Sequence, residues 1–507
     1  MKKRVLKKYI NDEKIGEKIQ YVRDISSLFE IDKIKRREFG IHLTSSEIFK
    51  KYIFPEIKNF LYNYIFVDLF CGEGNLILPI LEFIPENERI EYFLKHIYLF
   101  DIQKDMVEKC KLNAEKYGIP EEIAEKNIIQ KDTLKNYPIF IKNLELPVWH
   151  ITNPPYLYIG YIVKNSQRNL KYFTGENSGY QDLYQIALIN DLRNKIPKLT
   201  YILPTNFLFG FSVSNKIRMD FLPFYDIKKA IIFESKVFEY TGTNVCILFF
   251  ERKKTSIKED IHFQAIKIGK NKEIKKIYIL TPKNFYRAGN EFEEFVSSYN
   301  IKNELEIEFY LTLEELEKNK GEYPVKLMDV NSFSNGCYKV GIYKVNQLLY
   351  KKIKNNPLFV RTLDTGKWEG RAGIYDVREI WDIDGILVTK EKYRTHPIQI
   401  FIEPNLSEED LNLLKNYFNL MLEYFRDITD SEFLTTFKYS NSTYVRKYLG
   451  LSQVKKLIET LPLYLLEKEE KKILKILILQ KNVEKIKEFL SQLKEKKESI
   501  LFNLKNE

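Results

Sequence analysis

The feature that most constrains the fold is an apolar run at 65–69 that opens directly into Phe70-Cys71-Gly72-Glu73-Gly74-Asn75 and then into sequence of helical period. An apolar run, a two-glycine turn and a helix make the first strand–helix unit of a parallel sheet, because glycine tolerates the positive φ of a tight turn and the close approach of a ligand. The pattern repeats. From 64 to 250 short apolar runs alternate with longer amphipathic stretches, the rhythm of an α/β sheet. Strands are expected at 65–69, 97–100, 127–130, 149–152, 199–203, 229–233 and 245–250, with helices over 76–83, 104–117 and 180–195.

In a doubly wound sheet, ligands bind at the carboxyl ends of the strands. The glycine turn lacks the GxGxxG spacing of dinucleotide sites, which argues against a nicotinamide cofactor. The second apolar run ends Phe100-Asp101-Ile102, so Asp101 can accept from two ribose hydroxyls, with Ile102 beside it. The third leads into Asp132, placed to accept from an adenine amino group; the plainer reading of a single Asp after a strand is a helix cap.

The fourth run, Trp149-His150-Ile151-Thr152, leads into Asn153-Pro154-Pro155-Tyr156. Two prolines stiffen the backbone and remove two N–H groups, leaving a rigid array of acceptors. Such a loop suits an exocyclic amine attacking the methyl of a sulfonium. That nitrogen is a poor nucleophile, and it becomes tetrahedral and positive as it reacts. The Asn153 side-chain oxygen and the Pro154 carbonyl can each accept one N–H and stabilise the developing charge. Tyr156 offers a face for a planar substrate. A tight turn closing a strand is the alternative.

The order of these motifs resembles the amino-methyltransferases, and more narrowly the gamma-type DNA adenine-N6 methyltransferases, the TaqI-like and Eco57I-like group. The resemblance covers roughly 40–250 and is positional beyond. Asp68 and Phe70 fit a D-x-F-x-G-x-G form of the cofactor turn containing Gly72 and Gly74. Thr44 matches an upstream cofactor-contacting threonine, although Ser45 replaces the proline that usually follows it. Gln181-Asp182-Leu183-Tyr184 and Tyr201–Phe207 match later segments, and Phe238, in Val237–Val245, matches an aromatic that packs on an extruded base.

The resemblance implies an α/β fold with a Rossmann-like methyltransferase sheet, a second, mixed α/β target-recognition domain and a helical C-terminus. It implies S-adenosyl-L-methionine as cofactor, Asn153 touching both cofactor and base, and double-stranded DNA as partner. Base flipping is then required, since a base inside a duplex cannot reach such a loop. A restriction-modification role, with a cognate restriction endonuclease as partner, and a monomer are expected. RNA guanine-N2 methylation, DNA cytosine-N4 methylation and a fused restriction-modification enzyme remain rivals. Release-factor glutamine methyltransferases share the loop but are usually compact.

At 507 residues the chain exceeds one ordinary core, and 44% hydrophobic with 30% charged residues excludes a broadly disordered protein. A charged run at 252–260 suggests a boundary. Expected divisions are 1–255 (catalytic, with an N-terminal helical segment), 256–450 (target recognition, with a helix at 408–425) and 451–507, read as two amphipathic helices. The excess of 81 Lys+Arg over 70 Asp+Glu favours a polyanionic partner, or reflects genome composition. Arg371, Arg378, Lys390, Lys392, Arg394, Lys438, Arg446 and Lys447 are candidate DNA contacts as a group. The four cysteines show no CxxC pairing, so neither disulfides nor a metal site is expected. No apolar run suggests a signal peptide or membrane span, and the cytoplasm is the expected location.

Overall fold

The structure, a computed structural model, describes residues 45–504 except 166, 235–243, 270–272, 301–304, 366–369, 391–395, 437–445 and 464–465, with backbone alone for 164, 165, 167, 168, 436 and 497–504. Contacts divide it into two compact units, the first ending at Tyr286 and the second running on from Arg287.

The first unit is built on a nine-stranded sheet: β1 (Ile65–Asp68), β2 (Ile97–Asp101), β3 (Ile128–Gln130), β4 (Val148–Thr152), β5 (Lys198–Pro204), β6 (Tyr225–Phe233), β7 (Val245–Arg252), β8 (Ile261–Ile268) and β9 (Glu273–Leu280). Its order is β3-β2-β1-β4-β5-β7-β6-β8-β9. The first five strands in that order are parallel, with Phe66 level with Ile97 on one side and Trp149 on the other. β7 runs antiparallel between β5 and β6. Buried parallel strands read as unbroken apolar runs because helices cover both faces, and all seven expected strands are present. Between β1 and β4 the order of connection reverses, which opens a crevice at the carboxyl ends of the strands.

Two expectations in this unit need correction. The stretch expected as an α-helix at 76–83 is a 3₁₀ helix, Leu78–Phe83, with Pro79 near its start, where a missing N–H costs little. β6 begins at Tyr225, not 229. A register shift between Ile227 and Lys229 breaks the alternation that marks a strand in sequence. The charged run at 252–260 is a loop within the sheet. Lys253 pairs with Asp226 and Glu259 at 3.4 and 3.1 Å, and the chain returns as β8, with alternate residues buried; contacts divide the two units at Tyr286/Arg287.

The second unit holds two four-stranded sheets, one of them containing a long hairpin of β10 (Lys320–Ser334) and β11 (Cys337–Val345). Asn335 and Gly336, both at positive φ, turn it in the sense that matches strand twist. Helix Glu408–Thr429 covers the expected 408–425 and buries Leu414, Phe418 and Met421 against Leu457, Leu461 and Ile486. The C-terminal segment forms three helices among the described residues, where two were expected: Leu451–Glu459, Lys468–Leu479 and Val483–Leu504. Pro462 follows the first of them, and Lys481 at positive φ ends the second. No helix among the described residues is long and apolar enough to cross a membrane.

Candidate functional site

The loops at the carboxyl ends of β1–β4 enclose a cleft of about 930 Å³, counting space open to solvent. It gathers Asp68, Phe70 and Gly72 from the first loop, Asp101 and Ile102 from the second, Asp132 from the third, and Asn153 and Pro155 from the fourth. Four strand ends separated by 85 residues of sequence thus meet at one crevice, as parallel topology requires.

Local hydrogen bonding fixes each side chain. Asp68, 1% exposed, accepts from Phe70 N at 3.0 Å and from Thr152 Oγ1 at 2.5 Å, which ties β1 to β4 immediately before Asn153. Burial pushes its carboxyl up to about 6. Asp101 accepts from Gly72 N at 2.9 Å and Gln103 N at 2.9 Å, one bond per oxygen, and burial raises its pKa against those two bonds. Each oxygen keeps a lone pair. Gly72 and Gly74 sit at φ +54° and +81°. A Cβ on Gly74 would lie 2.5 Å from Leu78 Cδ1 and 2.8 Å from Cys110 Sγ, so a side chain there would have to displace both as well as adopt a strained φ.

Asp132 caps a local turn and also faces the cleft. Its Oδ1 accepts from Lys135 N at 3.2 Å, a local cap, while the side chain lines the cleft and its Oδ2 accepts from Tyr172 OH at 2.8 Å. Tyr172 and Asn169, which sequence reasoning missed, close that side. They belong to a 3₁₀ helix, Gln167–Phe173, with no motif of its own, so no signal could have found them.

In the fourth loop Pro154 is buried and Tyr156 is half-buried, its ring packed against the core and edge-on to Tyr184. The Tyr156 hydroxyl bonds to the Asn153 side-chain oxygen and lies 2.7 Å from the Ile202 carbonyl. Leu157 N donates to Asp182 Oδ1 at 2.9 Å, which anchors the loop's exit, and burial pushes the Asp182 carboxyl up to about 7. Thr44 and Phe238 lie outside the described residues, as do Lys392, Arg394 and Lys438.

Among the candidate DNA contacts, Arg371 pairs with Glu423, and Arg378 pairs with Asp376 and Glu408. Arg446 donates to the Asp364 carbonyl, and Lys447 is buried. These four are engaged within the second unit, whereas Lys390 is exposed.

The family model of the N-6 DNA methylases matches residues 36–328, and the chain belongs to that family. No curated protein matches it. Among solved structures it is similar to a modification subunit of a putative type I restriction enzyme from Vibrio vulnificus YJ016, at 16% identity over 58% of this chain and 60% of that one, with a TM-score of 0.34. It is also similar to the type IIL restriction-modification enzyme MmeI in complex with DNA, at 13% identity over 76% and 66%, TM-score 0.44. A third is the type IIG restriction endonuclease BpuSI, at 11% over 89% and 62%, TM-score 0.40. The chain thus spans about 60 to 66% of the length of these structures.

Proposed function

We propose that the chain is an S-adenosylmethionine-dependent DNA methyltransferase acting on N6 of a flipped-out adenine in duplex DNA, as the modification component of a restriction-modification system. The observation that carries this reading is the single cleft in which the Asp68–Gly72 turn, Asp101 and Asp132 meet Asn153.

The residues present fit the cofactor. The glycine turn leaves no Cβ in the way, Asp101 keeps lone pairs for two ribose hydroxyls, Asp132 can accept from the adenine amine, and Ile102 covers the ring. Thr44, by motif order, completes the set. When bound, S-adenosylmethionine supplies a methyl on an electrophilic sulfonium.

The chain's own residues then handle the amine. The Asn153 oxygen and the Pro154 carbonyl accept its two N–H groups as positive charge builds. Tyr156 has one proton. Given to the Ile202 carbonyl at 2.7 Å, that proton leaves the phenol oxygen to accept from the Asn153 amide N–H, and the amide orientation this needs turns the Asn153 oxygen toward substrate. Tyr156, its ring packed against the core, holds the loop in place, and Phe238 is assigned by motif order to stack on the extruded base. The second unit is assigned to target recognition, with Lys390 among its phosphate contacts.

Tritiated-methyl transfer to unmethylated duplex DNA, followed by nucleoside analysis, tests the reading. Label recovered as N6-methyladenine is expected. Label in RNA or protein with none in DNA would overturn it, and N4-methylcytosine would reassign the base.

A further inference from the structure

Behind the cleft lies a buried polar network with no direct part in the proposed chemistry. His150, on β4 three residues before Asn153, is 1% exposed. Its Nε2 lies 3.2 Å from Leu69 N, the first residue beyond β1 and the start of the cofactor turn. A backbone N–H can only donate, so Nε2 is the acceptor and the ring proton sits on Nδ1. Nδ1 lies 2.7 Å from Asp191 Oδ2. Asp191, fully buried on helix Leu183–Arg193, also accepts from Tyr201 OH of β5 at 2.5 Å and from Tyr137 OH at 2.8 Å. The adjacent Asn190 donates to Leu134 O at 3.0 Å, and Leu134 lines the cleft.

We propose that His150 and Asp191 are positioning residues that set the cofactor turn, with Asp191 selecting the one histidine tautomer able to hold Leu69 N–H. This rests on the reading of the cleft as a cofactor site. Geometry supports more than simple packing. β1 ends at Asp68, so Leu69 N has left the strand ladder and points at β4, and an apolar residue at 150 would leave it unpaired. The bond fixes where the turn begins, while the Gly72 N to Asp101 bond fixes it two residues before Gly74. The same histidine belongs to the strand that delivers Asn153. One buried side chain thereby spaces the cofactor turn from the catalytic loop. A purely apolar contact could hold the two strands together but could not select a direction for the Leu69 N–H.

Calorimetric titration of S-adenosylmethionine, with kcat at saturating cofactor and ¹⁵N spectra of the histidine rings, tests this. The wild-type spectrum is expected to show His150 as the Nδ1–H tautomer. His150→Phe and Asp191→Leu are expected to weaken cofactor binding about tenfold each, the double variant little more than either, with kcat changed less than threefold. His150→Gln, whose carboxamide oxygen can accept from Leu69 N, should recover part of the affinity. Wild-type affinity in a folded His150→Phe protein, or an Nε2–H tautomer in the wild type, would overturn the proposal. If an apolar variant does not fold, the wild-type tautomer and the His150→Gln affinity decide. Failure of the wild type to bind S-adenosylmethionine at all would instead sink the functional reading, leaving the tautomer as a separate result.

Discussion

Asn153 and Asp101 both line the cleft but are held differently, and their substitutions should separate two roles. On the proposed reading, Asn153→Ala removes an acceptor for charge that exists only in the transition state, so transfer should fall by about 10²–10³-fold. Cofactor affinity should stay within about threefold of wild type, a change smaller than one lost hydrogen bond. Asp101→Ala removes the anchor of Gly72 N and, on the same reading, the ribose acceptors with it, so the Kd for S-adenosylmethionine should rise at least about tenfold. Equal loss of cofactor affinity in both, measured by calorimetry, would argue against the division. These residues were legible because each follows an apolar run at a strand end. Thr152, which reaches the buried Asp68, was not, since nothing in a single sequence shows which strand lies beside which.

At the level of elements, the start of helix Leu183–Arg193 secures the exit of the Asn153–Tyr156 loop through Asp182 and Leu157 N. Burial raises the folded Asp182 carboxyl to about 7, above its ordinary value near 4. The native state therefore binds that proton more tightly than the unfolded chain. Its contribution is fully present below pH 4 and is lost as pH rises through 7. Asp68, raised to about 6, acts in the same direction. Other carboxylates tilt the profile the opposite way, so the informative quantity is a difference. Between pH 4 and pH 8, urea denaturation should show the wild type losing stability relative to Asp182→Asn. Parallel profiles would refute this. Strands of the parallel core and the helix near 76–83 were readable from apolar pattern, whereas the start of β6 was hidden by its bulge and the 3₁₀ form of that helix was not marked.

Across the whole molecule, stability and binding respond to charge in different ways. In the second unit, Arg426 and Asp364 form an ion pair, each almost fully buried, at 2.8 Å, and Asp364 also accepts from Ala372 N and Lys447 N. Arg426→Met strands that carboxylate and should cost about 3–5 kcal/mol by denaturant unfolding, whereas Arg426→Met with Asp364→Asn should cost less. An unchanged midpoint in the single variant would contradict this. Net charge bears on the proposed partner. With a net charge of +11, binding to duplex DNA should weaken more than tenfold between 50 and 200 mM salt, read by anisotropy. A flat response would count against phosphate contact.

Periodicity and glycine chemistry act over neighbouring residues, and so the sequence by itself determined the α/β class, the seven core strands, the two-glycine turn and the acidic and Asn-Pro-Pro-Tyr strand ends. Only the tertiary structure decided that the sheet continues through β8 and β9, that Arg371, Arg378, Arg446 and Lys447 are engaged within the second unit, and that His150 and Asp191 stand behind the cofactor turn. Each of these depends on which distant segments become neighbours. That choice is made by burial and hydrogen-bond satisfaction summed over a whole unit, and no local pattern records it.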